Sequence, residues 1–467
     1  IPMPYVFYDT ETTDISTAFA QILQFAAIKT DDDLNEIDRF QIRCRLLPHV
    51  VPAPKALLVT KISPEMLTDP MLPTHYEAVR EIRQKLMEWS PAVFIGYNSI
   101  AFDEELLRQA FFQTLHPAYL TNMNGNERSD VMRIAHATHI YQPNTISVPI
   151  NEKEKQTFKL DQLAPINGYD HRRAHDAMAD VEATIFVASL VKQRANGIWK
   201  DMRRFVKKSQ VIDFVMKKPC FALSERYFSR MYSWLVTYCG RNPDYDSQLA
   251  VFDLNFDPDE YLSLSVEELI EVFPKSPKPI RVVVANRQPI MMPSEAAPDD
   301  TKGLAVPLEE RNRRIEVIQN DRQFMGRVGE ALSQRYDDKE TSPYPEKQIY
   351  DSFTGWDDQR LIEAFHEERW EDRISLIERI QDPRLVEFAN RLVFFERPDL
   401  LSDHVSIEMN DWLAERVLTE EHSVPWLSVP NALSKVETEL ETADQEGMEF
   451  LGKIKEFLSN RANELGC

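Results

Sequence analysis

The sequence is poor in cysteine and has no long apolar run, and each absence argues against a class of protein. Its 467 residues include four cysteines with no C-x-x-C pair, which disfavours both a disulfide framework and a structural zinc site. No stretch approaches the about 18 consecutive apolar residues that a membrane-spanning helix needs, and no basic-then-apolar signal segment opens the chain. We therefore expect a cytoplasmic protein that does not contact membranes. Because the first residue is Ile1, we also expect the natural N-terminus to be trimmed.

Positive charge is scarce as well, with 54 Lys and Arg against 76 Asp and Glu and a net charge of −22. Because Lys and Arg drive phosphate binding, this balance argues against non-specific coating of nucleic acid. One segment departs from it: residues 192–230 contain 11 Lys or Arg and three acidic residues. Such a segment is typical either of a phosphate-binding surface or of a solvated helix face. Composition alone leaves both interpretations open.

The length and patterning indicate a multidomain protein. The chain is too long for one ordinary core, and 43% hydrophobic with 28% charged residues is typical of a folded globular protein. Residues 1–195 show three strand-like runs and then strand–helix alternation, which predicts a mixed sheet flanked by helices. Residues 196–345 contain strand-like pieces such as QLAVFDLNF and IRVVVANRQPIMM, with a capping box at Ser265 and Glu268. Residues 346–467 are predicted to be helical.

The stretch YVFYDTETTD, residues 5–14, places two carboxylates at the end of an apolar run. YVFY is apolar at every position, which is typical of a strand buried on both faces of a sheet. Residues i and i+2 of a strand point to the same side, so Asp9 and Glu11 should share one face. Two such carboxylates repel each other and are costly to bury unless a cation such as Mg²⁺ lies between them. For this motif alone, a strand that ends in a polar turn remains the alternative.

Two further acidic positions follow along the first domain. Asp103, in GYNSIAFDEELL, comes after a second apolar strand and opens a helix, where a simple helix cap is the alternative. In AHDAMADVEAT, His175 lies in a turn five residues before Asp180, which opens a long amphipathic helix. His171 lies nine residues before Asp180 and so does not fit the H-x4-D spacing.

Together these motifs give four carboxylates and one histidine in one domain. Four carboxylates can bind two divalent ions about 3.5–4 Å apart, the arrangement that clamps a phosphoryl group during in-line attack. A histidine supplies a base that titrates near neutral pH. The similar string VFDLNFD, with Asp253 and Asp257, has no downstream H-x4-D partner, and we interpret it as a strand and turn.

The ordered set Asp9/Glu11, Asp103, His175 and Asp180 resembles the DEDDh group of 3′-to-5′ exonucleases, whose fold is ribonuclease H-like. The segments FAAIKTD, LVTKISPEML, GYNSIAFDEE and NGYDHRRAHDAMADVEAT are similar to those of the bacterial exonuclease I family, and weaker similarity continues through AVFDLNF and IYDSFTGWDDQRLI. The resemblance thus covers essentially the whole chain. It implies an α/β ribonuclease H-like exonuclease domain over residues 1–195, an SH3-like α+β domain over 196–345 and an all-helical C-terminal domain over 346–467.

The resemblance also implies a function: processive 3′-to-5′ hydrolysis of single-stranded DNA to 5′-mononucleotides, in DNA repair and recombination. It implies two Mg²⁺ ions, for which Mn²⁺ can substitute. The metal ligands fall on Asp9, Glu11, Asp103 and Asp180, and the general base falls on His175.

The family's contacts to the terminal nucleotide fall on loops around these motifs. The wedge against the 3′-terminal nucleotide falls on TKIS, residues 60–63, with Ile62 as its apolar contact, and the backbone N–H of Thr10 is a candidate donor to the 3′-hydroxyl. The full set of implied nucleotide contacts is Thr10, Thr12, Thr60, Ile62, Asn98 and Phe102.

Exonuclease I enzymes close a ring around the strand with their second and third domains, and segment 192–230 lies at that junction. The resemblance therefore favours phosphate binding by Arg203, Arg204, Lys207 and Lys208. It also implies a monomer with a basic groove for the acidic C-terminal tail of single-stranded DNA-binding protein, to which Arg287 is a further candidate contributor. Gln142 occupies a position in that region where a basic residue is expected.

Two other functions stay open. A non-catalytic single-strand nucleic-acid-binding scaffold could use the same fold, although such relatives are expected to lose one of the five catalytic residues, all of which are present. An RNA 3′-trimming exonuclease would use the same chemistry, but those relatives are typically compact single-domain chains. A contact to a 2′-hydroxyl is invisible in sequence, so the choice of DNA over RNA depends on the resemblance.

Overall fold

The computed structural model describes residues 3–170, 174–336 and 340–466, in which three groups of elements follow one another. The first group contains the strands β1 (Tyr5–Thr12), β2 (Ile22–Thr30), β3 (Glu36–Arg43), β4 (Val93–Gly96) and β5 (Glu127–Asp130). Its helices are α1 (Pro54–Thr60), α2 (Pro64–Leu67), α3 (His75–Trp89), α4 (Asp103–Gln113), α5 (Val131–Tyr141), α6 (Leu160–Ile166), α7 (Ala177–Arg194) and α8 (Asn196–Arg204).

The sheet of this first domain has the order β3-β2-β1-β4-β5. Strands β1, β2 and β3 are antiparallel, whereas β1, β4 and β5 are parallel, so the predicted mixed sheet is confirmed. Tyr5 and Phe7 of β1 pack among α5, α7 and α8, while Val6 and Tyr8 pack on the opposite face against α3 and α4. The apolar run YVFY is thus buried on both faces because helices cover both sides of its strand.

The second group contains α9 (Lys208–Lys217), β6 (Phe221–Tyr227), β7 (Arg230–Arg241), β8 (Gln248–Asp253), α10 (Val266–Ile270), β9 (Ile280–Val284), β10 (Ile290–Pro293), α11 (Leu308–Asn320) and α12 (Arg322–Gln334). Its antiparallel sheet has the order β10-β6-β7-β8-β9. The run IRVVVANRQPIMM is two strands, because it turns at residues 285–289 and β10 pairs with β6 at the far edge. The capping box of Ser265 and Glu268 is confirmed at the start of α10.

The boundary between these two domains differs in one respect from the sequence expectation. Helix α8 belongs to the predicted second domain, yet Ile198, Trp199 and Met202 pack in the core of the first. The bounds 1–195, 196–345 and 346–467 remain a prediction.

The third group is helical, as expected, with α13 (Trp356–Glu367), α14 (Trp370–Ile377), α15 (Pro383–Glu396), α16 (Asp403–Leu418), α17 (Val429–Leu440) and α18 (Gln445–Gly466). These helices share cores with the first domain: Leu57, Ile62 and Leu67 lie in one apolar cluster with residues of α16, α17 and α18. The Arg461 side chain of α18 donates a hydrogen bond of 2.8 Å to the carbonyl of Val50. Of the helices in the described ranges, none combines the length and the apolar character required to cross a bilayer.

Candidate active site

The site is built at the end of β1, where the alternation of the strand puts Asp9 and Glu11 on one side. Asp180, in the first turn of α7, reaches the same place, and carboxylate oxygens of Asp9, Glu11 and Asp180 lie within 4.8 Å of one another. We refer to these three residues as the acidic cluster. The structure therefore brings together the first and last motifs that the sequence singled out.

The start of α7 is fixed by neighbouring side chains. Asp176 caps the helix by accepting a hydrogen bond of 3.2 Å from the Ala179 N–H. His175 precedes it in the left-handed region, with φ of 66°, and its backbone N–H donates to Asp180 Oδ1 at 3.3 Å. Residue His175 is exposed beside the acidic cluster. The H-x4-D spacing thus places the histidine outside the helix while tying its backbone to the carboxylate. His171 lies outside the described residues.

Asp103 is the first residue of α4 and is buried, with 4% of its surface exposed. Its Oδ1 accepts hydrogen bonds from the Thr10 N–H at 3.1 Å and from the Thr10 hydroxyl at 2.6 Å. Asp103 is not among the three residues whose oxygens meet within 4.8 Å. The backbone N–H of Thr10, expected to face the substrate, therefore binds Asp103 in this structure.

The carboxylates raise one another's pKa values. Burial raises the pKa of Asp9 well above its ordinary value, and the charges of Asp103 and Asp180 raise it further. Burial and the neighbouring Asp180 raise the pKa of Glu11 to about 8. Burial raises the pKa of Asp103 to about 7, although the hydrogen bonds from Thr10 act in the opposite direction. Repulsion between these like charges therefore adds to the cost of burying them.

A divalent cation fits this arrangement. The donor set consists of carboxylate oxygens, which hard divalent ions prefer. Burial together with mutual repulsion makes the ionised cluster costly without positive charge between the oxygens. Metal binding by the acidic cluster is therefore compatible with its geometry and explains why carboxylates are buried there.

Sequence reasoning missed the residues that support this cluster. Gln24 lies directly across from Glu11 in the β1–β2 register, and its Nε2 donates to Asp176 Oδ2 at 3.3 Å. Arg43 of β3 donates to the same oxygen at 3.3 Å, and its charge opposes the rise in the pKa of Glu11 that burial and the neighbouring carboxylates cause. The available signal was Gln24 itself, a buried polar residue in the otherwise apolar run ILQFAAI.

The residues expected to contact the terminal nucleotide fall into two groups. Asn98, exposed with φ of 60°, and the half-buried Phe102 lie on the turn between β4 and α4, next to Asp103. Ile62, by contrast, is 5% exposed and packs with the C-terminal helices, so its side chain offers little surface to a substrate. The partly buried Thr60 ends α1, and the hydroxyl of the buried Thr12 donates to the carbonyl of Asp14.

The four predicted phosphate-binding residues differ in their surroundings. Arg203 is 16% exposed and donates to Glu127 at 3.1 Å, and Lys207 Nζ lies 3.0 Å from the same carboxylate. Lys208 pairs with Asp246, whereas the exposed Arg204 donates to Gln210 at 3.3 Å. Lys207 and Lys208 line a cavity of about 1020 Å³ between the three domains.

The remaining sequence candidates belong to the second domain. Arg287 lines a smaller cavity of about 330 Å³ between the first two domains, and Asn98 and Arg133 contribute to the opposite wall. Asp253 ends β8 and lies 3.5 Å from Arg281, while Asp257 caps a short 3-10 helix. The interpretation of VFDLNFD as a strand and turn is confirmed.

Comparison with known proteins gives three family matches in chain order. The family described as Exonuclease matches residues 6–188, the Exonuclease I SH3-like domain matches 203–337, and the Exonuclease I C-terminal domain matches 343–461. Exodeoxyribonuclease I of Buchnera aphidicola is 28% identical over 404 residues, which cover 83% of this chain and 82% of that protein.

Solved structures match the whole architecture. Exonuclease I from the moderate thermophile Methylocaldum szegediense is 25% identical, with a TM-score of 0.85 over 98% of this chain and 100% of the other. Escherichia coli exonuclease I in complex with a dA16 oligonucleotide has a TM-score of 0.86 over 98% of this chain and 100% of the other, at 20% identity. The matches follow one another over most of the sequence, and the acidic cluster lies within the first of them. The chain therefore belongs to the exonuclease I family.

Proposed function

We propose that the acidic cluster of Asp9, Glu11 and Asp180 binds the divalent ions with which this chain hydrolyses phosphodiester bonds. The chain is a 3′-to-5′ exodeoxyribonuclease that acts on single-stranded DNA. The observation that carries the metal proposal is the convergence of three carboxylates within 4.8 Å at the end of a buried strand. We infer two Mg²⁺ ions, with Mn²⁺ as a substitute, because carboxylate oxygens suit hard cations.

The bound ions supply a lowered pKa for a water molecule and positive charge opposite the phosphate. Asp9, Glu11 and Asp180 bind these ions, and Asp103 completes the ligand set from the start of α4. Thr10 orients Asp103 through its two hydrogen bonds, at 3.1 and 2.6 Å. Four carboxylates from β1, α4 and α7 thus act as one unit.

His175 is the general base of the proposed reaction. It lies exposed in the turn before α7, with its backbone N–H bonded to Asp180. From there the imidazole takes the proton of the water that attacks the terminal phosphodiester. The bond to the 3′-oxygen of the penultimate nucleotide breaks, and the product is a 5′-mononucleotide.

Substrate and partner contacts complete the proposal. Asn98 and Phe102, beside Asp103, contact the terminal nucleotide together with Thr10, Thr12 and Thr60, whereas Ile62 packs against the C-terminal helices. Arg203, Arg204, Lys207 and Lys208 bind phosphates of the strand between the domains, which makes the enzyme processive. Arg204, Lys207 and Lys208 are exposed, whereas Arg203 is partly buried.

The wider setting is also part of the proposal. We infer a monomeric cytoplasmic enzyme of DNA repair and recombination that binds the acidic C-terminal tail of single-stranded DNA-binding protein. The basic groups around the cavity near Arg287 support such a contact through charge complementarity.

The test is a time course on a 5′-labelled single-stranded DNA oligonucleotide, with matched RNA and duplex controls, in Mg²⁺ and in EDTA. We expect Mg²⁺-dependent loss of nucleotides from the 3′ end of single-stranded DNA. Intact DNA in the presence of bound enzyme and Mg²⁺ would contradict the catalytic proposal and favour a scaffold. Trimming of RNA alone would leave the chemistry in place and overturn the substrate.

A further inference from the structure

One glutamine of the SH3-like domain extends into the exonuclease domain. Gln288 lies in the turn between β9 and β10 and is 2% exposed. Its backbone is in the left-handed region, with φ of 46°, a conformation uncommon for a residue other than glycine. The residue is therefore a buried polar contact between two domains.

The Gln288 amide forms three hydrogen bonds, all to the exonuclease domain and its last helix. Its Oε1 accepts from the Asp130 N–H at 2.8 Å. Its Nε2 donates to the Ser129 hydroxyl at 2.9 Å and to the Met202 carbonyl at 3.0 Å. A planar amide with every hydrogen bond directed to the neighbouring domain fixes the position of that neighbour closely.

The bond to Asp130 completes an edge of the catalytic sheet. Strand β5 is the edge strand of this sheet, so the backbone groups on its outer side have no strand partner among the described residues. Gln288 provides that partner for the Asp130 N–H, at the residue where β5 ends. Without it, a buried backbone donor would be left unsatisfied.

Asp130 holds the turn between β4 and α4, which leads to the active site. Its Oδ1 accepts from the Asn98 N–H at 3.0 Å, and its Oδ2 accepts from the Ile100 N–H at 3.3 Å. The turn is close-packed where it leaves β4, since a Cβ at Gly96 would lie 2.8 Å from the Tyr8 carbonyl. Asp130 thus fixes the backbone of a turn with little room to relax.

The same turn determines the position of Asp103, the residue that follows it. The carbonyl of Ser99 accepts from the Phe102 N–H at 3.2 Å and from the Glu104 N–H at 2.9 Å, which directs the chain into α4. Displacement of the Asn98–Phe102 turn would therefore move both the nucleotide contact at Asn98 and the carboxylate of Asp103.

We propose that Gln288 is a positioning residue through which the SH3-like domain sets the geometry of the catalytic turn, residues 98–102. The path runs from Gln288 to Asp130, from Asp130 to the turn, and from the turn to Asp103. The inference rests on the proposed function and extends it: the second domain contributes to the chemical step as well as to strand binding.

The decisive experiment uses a substrate too small to reach the SH3-like domain. Thymidine 5′-(p-nitrophenyl phosphate) presents one nucleotide and one scissile bond, and its hydrolysis releases coloured p-nitrophenol. An effect of Gln288 on this ester must pass through the protein. The kcat and KM values for the ester and for a long single-stranded oligonucleotide are compared in the full chain with Mg²⁺.

Gln288→Met keeps the approximate volume of the side chain and removes its hydrogen bonds. We expect kcat to fall about tenfold on both substrates, because small displacements of catalytic groups are costly, with KM for the oligonucleotide changed less than about twofold. Ser129→Ala removes the hydroxyl that accepts a hydrogen bond from Gln288 Nε2. We expect kcat of this variant to fall about threefold.

Gln248→Ala is the matched control. Gln248 is a half-buried glutamine of the same domain, and among the described residues its Oε1 accepts a hydrogen bond only from Asn242. We expect the kcat of this control variant to be unchanged.

An unchanged kcat of Gln288→Met on the ester, or a rise in KM alone, would overturn the inference. Gln288 would then serve only to hold the two domains together. If thermal melting shows Gln288→Met to be unfolded, an unchanged kcat in Ser129→Ala overturns it. An inactive wild-type chain would overturn the proposed function itself, whereas an active wild type with unchanged variants overturns this inference alone.

Discussion

Two carboxylate sites in this molecule, a cluster and a single residue, have opposite electrostatic environments. In the exonuclease domain, Asp9 and Glu11 lie among other acids, and burial and repulsion raise their pKa values. At the start of the C-terminal helical domain, Glu346 is 1% exposed, and its Oε1 accepts from Arg391 at 2.8 Å and from Arg416 at 2.9 Å. Burial acts to raise the pKa of Glu346 as well, but the two arginines outweigh it and the pKa is lowered.

Under the proposed function, this difference separates a structural site from a catalytic one. Glu346 has its positive partners within the chain, so it contributes to the packing of the third domain. In the acidic cluster the charges that raise the pKa values of Asp9 and Glu11 come from other carboxylates, and under the proposed function bound ions supply positive charge there. Burial alone therefore does not reveal the role of a carboxylate; the charge of the neighbouring side chains does.

The largest effect on activity is expected from a substitution in the acidic cluster. Asp9→Asn should lower kcat by about 10⁴-fold, or about 5.5 kcal/mol, because a carboxylate ligand is lost from the metal site. Oligonucleotide affinity should stay within about twofold, since phosphate contacts lie elsewhere. The free energy of unfolding in EDTA should not fall, because the substitution relieves repulsion.

Steady-state kinetics, filter binding and urea unfolding measure these three quantities. Asp14→Asn, on the turn after β1 and outside the acidic cluster, is the matched control. Cleavage by Asp9→Asn within tenfold of wild type would remove Asp9 from the metal site.

At Glu346 we expect the opposite response, a loss of stability without a loss of activity. Glu346→Gln leaves Arg391 and Arg416 buried without their shared carboxylate, and should lower the free energy of unfolding by about 3–5 kcal/mol. The kcat of the folded enzyme on a mononucleotide ester should be unchanged. Urea unfolding gives the stability, and Glu387→Gln, which removes a half-exposed partner of Arg391, should cost less than about 1 kcal/mol. Equal losses in the two variants would contradict the distinction between the sites.

A smaller effect is expected at the residue that links Asp103 to the strand. Thr10→Val removes the hydroxyl hydrogen bond of 2.6 Å and keeps the side-chain shape. We expect kcat to fall about tenfold, because a hydrogen bond to a charged group is lost. Thr10→Ser retains the hydroxyl and should keep most of the activity. Identical kcat values for the Val and Ser variants would show that Asp103 does not depend on this bond.

The acidic cluster was accessible from sequence because its geometry is local. Alternation along one strand places Asp9 and Glu11 on one side, and the H-x4-D spacing places Asp180 in the first turn of a helix. The apolar runs of β1, β2 and β4 likewise predicted the mixed sheet, since buried strands carry a strong hydrophobic signal.

Features that depend on distant partners were not accessible. Strand β5, with the sequence ERSD, is a short edge strand without an alternating pattern. Gln288 and Asp130 meet across 158 positions, and nothing near either residue signals the contact. Ile62 was assigned to the substrate wedge, but helices from the other end of the chain bury it.

The packing of the final helix on residues 48–67 bears on when the enzyme becomes competent during its synthesis. Arg461 and Val50 are 411 positions apart, which at about 5–20 residues per second corresponds to roughly 20–80 s of translation. Throughout that interval Leu57, Ile62 and Leu67 lack the apolar partners that α17 and α18 provide. The carboxylates of the acidic cluster, all within residues 9–180, are therefore synthesised well before α17 and α18 can pack on residues 48–67, so that a nascent chain carries the proposed metal ligands while that packing is still incomplete.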